Sequence, residues 1–192
     1  MSAKQIPAGI SARHVHVSRE HLNILFGEGY QLTVKKELSQ PGQYASNEQV
    51  DIITEKGSFK GVRILGPERK NTQIEVSLSD AMKLGLKPPV RDSGDVKNSP
   101  GVTLVGPKGT VELAEGVIVA MRHIHMTPAD AAEFGVSDKE IVQVRCGGER
   151  GLIFDNVLIR VNDAFALEMH LDTDEGNAAM CKTSDTVELI KK

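Results

Sequence analysis

A chain of 192 residues has room for one compact domain or for two small ones that share an interface. Its net charge of -3 gives no electrostatic reason to expect nucleic acid, because phosphate-backbone binding needs a basic excess or a long basic stripe. Tryptophan is absent and aromatics are 4% of residues, so the core must come from Val, Ile, Leu and Met, which favours many short strands over a few large helices.

The N-terminal MSAKQIPAGIS lacks the apolar core of a signal peptide, and no later run approaches the ~18 apolar residues of a membrane span. A soluble cytoplasmic protein without membrane or nucleic-acid partners is expected. Cys146 and Cys181 are far apart in sequence and form no Cys-x-x-Cys pair, so reduced thiols are expected rather than a zinc ribbon or disulfide framework.

In chain order, Arg13-His14-Val15-His16-Val17 is followed by SREHLNILFG from Ser18 to Gly27, a short capped helix. Branched runs then recur as QLTVK, VDIIT, GVRILG and TQIEVSL, reading as strands, with ELSQPGQYASNEQ (37–49) as a long loop. SLSDAMKLG from Ser77 to Gly85 carries a Ser N-cap, an Asp three residues on and a closing Gly. After it LKPPVRDSGDVKNSPG (86–101) is the longest loop, and VTLVG and TVELAEGVIVAMR are strands.

Arg122-His123-Ile124-His125-Met126 then repeats the first His motif at a separation of 109 residues, and TPADAAEFG from Thr127 to Gly135 repeats the capped helix. EIVQVRC, GLIFDNVLIRVND, ALEMHLD and TVELIK complete the strands, with CGGERG as a hairpin turn. The expected fold is mainly β: two small β-barrels related by an internal repeat, each capped by short α-helices.

Four of the six histidines fall in the two His-x-His pairs. On a strand, residues i and i+2 face the same side, so two imidazoles can hold one metal ion. On a helix they would diverge by about 200 degrees. Glu75 and His170 are the best further ligands, because each lies in an apolar strand where an unpartnered polar group would be costly. Three protein ligands per ion leave open positions, the mark of catalytic zinc. Fe, Co or Ni would also suit these ligand types.

The motifs ISARHVHVS, GPERKNTQIEV, PPVRDSGD, AMRHIHMTPADA and HLDTDEGNA resemble, in order and over nearly the whole chain, the PduL-type phosphate propanoyltransferase (phosphotransacylase) family. The resemblance implies a barrel of residues 1–12 with 121–192, the N-terminal strand being exchanged into it, and a second barrel of 13–120 with a loop insertion near 27–47. It implies two Zn²⁺ per chain, on His14, His16 and Glu75 and on His123, His125 and His170. Arg69 is the phosphate-binding and catalytic residue by the same likeness, and Ser11, Ala12, Arg13, Lys56, Arg63 and Asn177 contact coenzyme A. A homodimer is implied as well. Only some ten residues precede the first motif, so the chain resembles a cytosolic member, or an encapsulated one from which a microcompartment-targeting extension has been removed.

The expected reaction is acyl-CoA plus phosphate to acyl phosphate plus CoA, with propanoyl and acetyl groups both suited. Neither cysteine is needed, Cys146 being the one alternative nucleophile. Rival readings are a cupin-like metal protein using Glu20 instead of Glu75, a zinc-dependent thioester hydrolase, and a metal-storage or sensor module.

Overall fold

The computed structural model describes residues 5–190, which divide into two compact units. The first unit takes the described residues up to Ala12, Ser39–Pro41 and the chain from Met121 onward; the second takes Arg13–Leu38 and Gly42–Ala120. The chain begins with β1 (Gln5–Ser11) in the first unit. The second unit then contributes β2 (His14–His16), α1 (Arg19–Phe26), β3 (Val34–Glu37), β4 (Tyr44–Ile53), β5 (Ser58–Gly66), β6 (Gln73–Glu75), α2 (Leu78–Leu84), β7 (Val90–Arg91), β8 (Thr103–Val105), β9 (Thr110–Glu112) and β10 (Val117–Ala120). The first unit resumes with β11 (His123–Met126), α3 (Pro128–Phe134), β12 (Ile141–Cys146), β13 (Leu152–Val161), β14 (Glu168–Asp172), α4 (Thr173–Ala179) and β15 (Thr186–Ile190).

The first unit is a closed six-stranded barrel in the order β1-β14-β11-β13-β12-β15. β1 closes it, running parallel to β14 and antiparallel to β15. Alternate residues of its strands, among them Ile6, Ile124, Val144, Ile159 and Met169, fill the interior. The second unit builds its own core on Val15, Leu22, Leu25, Ile52, Ile64 and Ile74, under an open sheet ordered β7-β10-β6-β2-β5-β4-β8-β9 with β3 added to β4. The mainly β reading holds, but only one of the two expected barrels closes. The edge strands β7 and β9 have two and three residues, and β7 is preceded by Pro88 and Pro89, which have no N–H to give a ladder.

The three expected helices form where their caps stand. Ser18, Ser77 and Thr127 each accept the backbone N–H three residues on, and Gly85 and Gly135 take the left-handed conformation at φ 68° and 66°. Gly27 does not, sitting at φ 111° and ψ 155°. α4 was not anticipated, although Asp172 and Glu175 form a complete capping box that the sequence displays.

The 37–49 loop is shorter than expected, because β4 begins at Tyr44. Ser46 and Glu48 occupy inward positions of that strand and mask its alternation. Their burial is satisfied: Glu48 accepts from Tyr30 Oη at 3.0 Å and from Thr33 N and Oγ1 at 3.0 and 2.7 Å, and Ser46 Oγ donates to Ile64 O at 2.9 Å. Among the described residues no helix is long and apolar enough to cross a membrane.

Candidate metal centres

β2 and β6 pair antiparallel in a register that sets His14 opposite Glu75 and His16 opposite Gln73. Because alternate strand residues share a face, these four side chains form one two-by-two patch. β11 and β14 repeat the arrangement, with His123 opposite His170 and His125 opposite Glu168. In each patch three ligand atoms lie within 4.8 Å of one another: those of His14, His16 and Glu75, and those of His123, His125 and His170. Each trio converges within its own unit, and all four His-x-His imidazoles are buried.

In the first patch Glu75 Oε2 is 3.5 Å from His14 Nε2, and Glu75 Oε1 is 3.9 Å from His16 Nε2. His16 Nδ1 is 3.2 Å from Leu65 O, so the tautomer that donates there leaves the Nε2 lone pair facing the carboxylate. Burial, then the charges of His14 and Arg69, bring the His16 pKa down to about 3. Burial alone would raise Glu75, but His14, His16, the Ser93 hydrogen bond and Arg69 outweigh it and hold the carboxyl at about 2. The patch therefore presents a neutral imidazole and a carboxylate at neutral pH.

The second patch is all imidazole. His123 Nδ1 lies 2.8 Å from Met121 O, which again turns Nε2 to the cluster. His125 stacks on Phe165 at 4.1 Å, and burial with the neighbouring His123, His170 and Arg160 charges lowers its pKa to about 2. Its Nδ1 is buried without a hydrogen-bond partner, while His170 Nε2 lies 2.9 Å from Glu168 Oε2. A buried orphan imidazole nitrogen in a cluster of three histidines is a donor that a divalent ion would satisfy. The residues thus fit zinc, and neutral His16 and His125 need lose no proton to bind it.

Arg69 stands at the first patch. Its Nη1 donates to Ser93 Oγ at 3.1 Å, and that hydroxyl donates to Glu75 Oε1 at 2.8 Å. Arg13 forms a bidentate pair with Asp80, at 3.0 Å from Nε and 2.8 Å from Nη2, and lies 4.2 Å over the Phe59 ring. Lys56 is exposed in the β4–β5 turn, at the edge of a cavity of ≈ 400 Å³ whose walls include Ile53, Leu84, Val102 and Leu113. Gly85 leaves room for the Lys56 stem, since a Cβ there would meet it at 2.3 Å. Arg63, on β5, donates to Ser46 O at 2.6 Å. In the other unit Ser11 ends β1, Ala12 follows it exposed, and Asn177 is exposed on α4.

Glu20, the cupin-type ligand, is exposed on α1, and the carboxylate at the histidines is Glu75. Cys146 is no candidate nucleophile: burial, and then the Cys181 thiol beside it, push it up to about 12. The fold thus brings together two cysteines that sequence spacing separates. Sequence reasoning missed Gln73, Ser93 and Glu168. The alternation that flagged Glu75 and His170 also marks Gln73 and Glu168, two residues earlier on the same faces.

A mainly β protein with two buried clusters, each of three side chains that could hold a metal ion, is the class that fold and site define. A family profile described as Phosphate propanoyltransferase matches residues 7–182. Relatives named Phosphate propanoyltransferase include one from Thermotoga maritima, 57% identical over 97% of this chain and 89% of the relative. One from Priestia megaterium is 54% identical over 94% of this chain and 83% of the relative, and one from Listeria monocytogenes 52% identical over 95% and 85%. The chain belongs to the phosphate propanoyltransferase family, a family of acyltransferases.

Proposed function

We propose that the chain interconverts a short-chain acyl-CoA, propanoyl- or acetyl-CoA, and phosphate with acyl phosphate and free CoA, holding one Zn²⁺ on His14, His16 and Glu75 and a second on His123, His125 and His170. The observation that carries this is the array in which Arg69, Ser93 and the Glu75 cluster are joined by hydrogen bonds, in a chain of this family.

In the forward step a phosphate oxygen lone pair attacks the thioester carbonyl carbon, the new C–O bond forms, and the C–S bond breaks with its electrons leaving on the CoA sulfur. Zinc, when bound, supplies positive charge for the oxyanion and the departing thiolate. Arg69 binds the phosphate anion through its guanidinium fork and holds it against thermal misorientation. Ser93 fixes both the guanidinium and Glu75 Oε1, so anion site and ligand carboxylate keep one geometry. Neither cysteine acts, in keeping with the raised Cys146 pKa.

Coenzyme A is assigned to Ser11, Ala12, Arg13, Lys56, Arg63 and Asn177. The support for Lys56 is its place at the cavity's edge; Arg13, tied to Asp80, offers mainly the backbone and the outer face of its guanidinium. A homodimer, with each chain carrying both clusters, completes the reading.

The test is CoA release from acetyl-CoA and propanoyl-CoA, followed with a thiol reagent, with and without phosphate and after metal removal. Phosphate-dependent release that chelation abolishes and zinc restores is expected, and the two rates rank the acyl groups. Phosphate-independent release would instead make the chain a thioester hydrolase, and tightly held metal without release would make it a binding protein. Light scattering on the same preparation measures the oligomeric state.

A further inference from the structure

Each two-by-two patch has a fourth member that is not among its three ligands. In the second unit it is Gln73, opposite His16; in the first it is Glu168, opposite His125. Each stands two residues before the third ligand on the same strand face, and each touches it. Gln73 Nε2 donates to Glu75 Oε1 at 2.6 Å, while Glu168 Oε2 lies 2.9 Å from His170 Nε2.

The chemistry of the two contacts is matched. Where the third ligand is a carboxylate, an acceptor, its neighbour is an amide that offers N–H. Where the third ligand is an imidazole, its neighbour is a carboxylate set at Nε2, the common outer partner of a histidine that ligates a metal through its other ring nitrogen. Both fourth members are buried and are themselves held. Gln73 Oε1 accepts from Gly94 N at 2.7 Å, and its amide also reaches Ser93 Oγ at 3.0 Å. Glu168 accepts from Ser39 Oγ, and Gly9 makes room for it, since a Cβ there would come within 2.9 Å of the carboxylate.

We infer that Gln73 and Glu168 are equivalent positioning residues, each orienting the third metal ligand of its own cluster, and that the two pairs, Gln73 with Glu75 and Glu168 with His170, are exchangeable only as pairs. The inference rests on the two-cluster metal reading proposed above. Gln73→Glu sets a second carboxylate against Glu75, and Glu168→Gln takes the negative charge from beside His170. Each change is nearly isosteric, so the ligand set and the packing stay in place while the support is lost.

The experiment measures Zn²⁺ affinity by chelator competition, and Co²⁺ absorption as a report on the ligand set, in chains whose other cluster is removed by His14→Ala or His123→Ala. Gln73→Glu and Glu168→Gln are each expected to weaken their own cluster about 10–100-fold. Glu75→His alone is expected to be similarly weak, whereas Gln73→Glu combined with Glu75→His recovers most of the loss, with a Co²⁺ spectrum moved toward that of the all-imidazole cluster. Losses that simply multiply in the double variant would overturn the pairing.

Gly9→Ala provides a check that leaves every ligand intact. It should displace Glu168 and weaken the second cluster, and unchanged affinity there would also overturn the inference. If the parent chain retains no metal at either cluster, the metal reading itself falls. Two ions in the parent without recovery in the double variant remove the pairing alone.

Discussion

The two units carry the same local plan on differently completed sheets. In each, a His-x-His strand pairs antiparallel with the strand of the third cluster residue and parallel with a long hairpin strand, β5 in one and β13 in the other. In each, the arginine before the first histidine reaches an acid at the third position of the following ligand strand's helix: Arg13 to Asp80 and Arg122 to Glu175. Each of those arginines also covers a phenylalanine, Phe59 or Phe154.

The differences lie at the third cluster residue, Glu75 against His170, and at the adjoining cation, Arg69 against Arg160. One barrel closes and the other sheet stays open. The cluster geometry survives that difference because it depends on one antiparallel register between two adjacent strands, not on closure.

The sharpest way to break the comparison is to delete one cluster at a time. His125→Ala is expected to abolish turnover while the protein stays folded and retains one of two zinc ions, measured by metal analysis beside activity. His14→Ala should do the same from the other side. Near-normal turnover in either variant would sink the two-centre assignment.

Arg69→Ala comes next. Loss of a charge-assisted anion contact of about 1.5–3 kcal/mol should raise the KM for phosphate roughly 10–100-fold with little change in metal content. Arg160→Ala in the other unit is expected to leave the phosphate KM nearly unchanged. Equal effects would mean that both cations serve the anion.

The metal-free protein is expected to be acid-labile. His16 and His125 have folded pKa values of about 3 and about 2 against 6.5 for free imidazole, so between those values the unfolded chain binds more protons than the folded one. Their contribution is therefore complete above about pH 6.5 and is lost as pH falls toward the folded values. Melting temperature recorded from about pH 8 to about pH 4 should be level at first and then decline; a level profile throughout would contradict neutral buried imidazoles.

The smallest effects compare the two arginine pairs. Asp80 is 4% exposed, so Arg13→Met strands a buried carboxylate and should cost about 2–3 kcal/mol in denaturant unfolding. Arg122→Met leaves the less buried Glu175 and should cost about 1 kcal/mol. The reverse order would show that burial of the acid does not set the cost.

Much of this was legible in the residues themselves. The repeated Arg-His-x-His motif, the strand alternation around Glu75 and His170, and the Ser, Thr and Gly caps are local signals whose consequences are fixed within a few residues. The same local rules contained α4 in the Asp172–Glu175 box, although the expectation passed over it.

What needed the tertiary structure was every relation between strands distant in sequence. Inward Ser46 and Glu48 made β4 read as a loop, because their hydrogen-bond partners come from other segments. Cys146 and Cys181 meet only once the barrel has formed. The pairing of Gln73 with Glu75 and of Glu168 with His170, and the link from Arg69 through Ser93 to the first cluster, appear only when register and loop position are set. Alternation along one strand determines which side chains share a face, but which faces meet is decided by packing and long-range pairing.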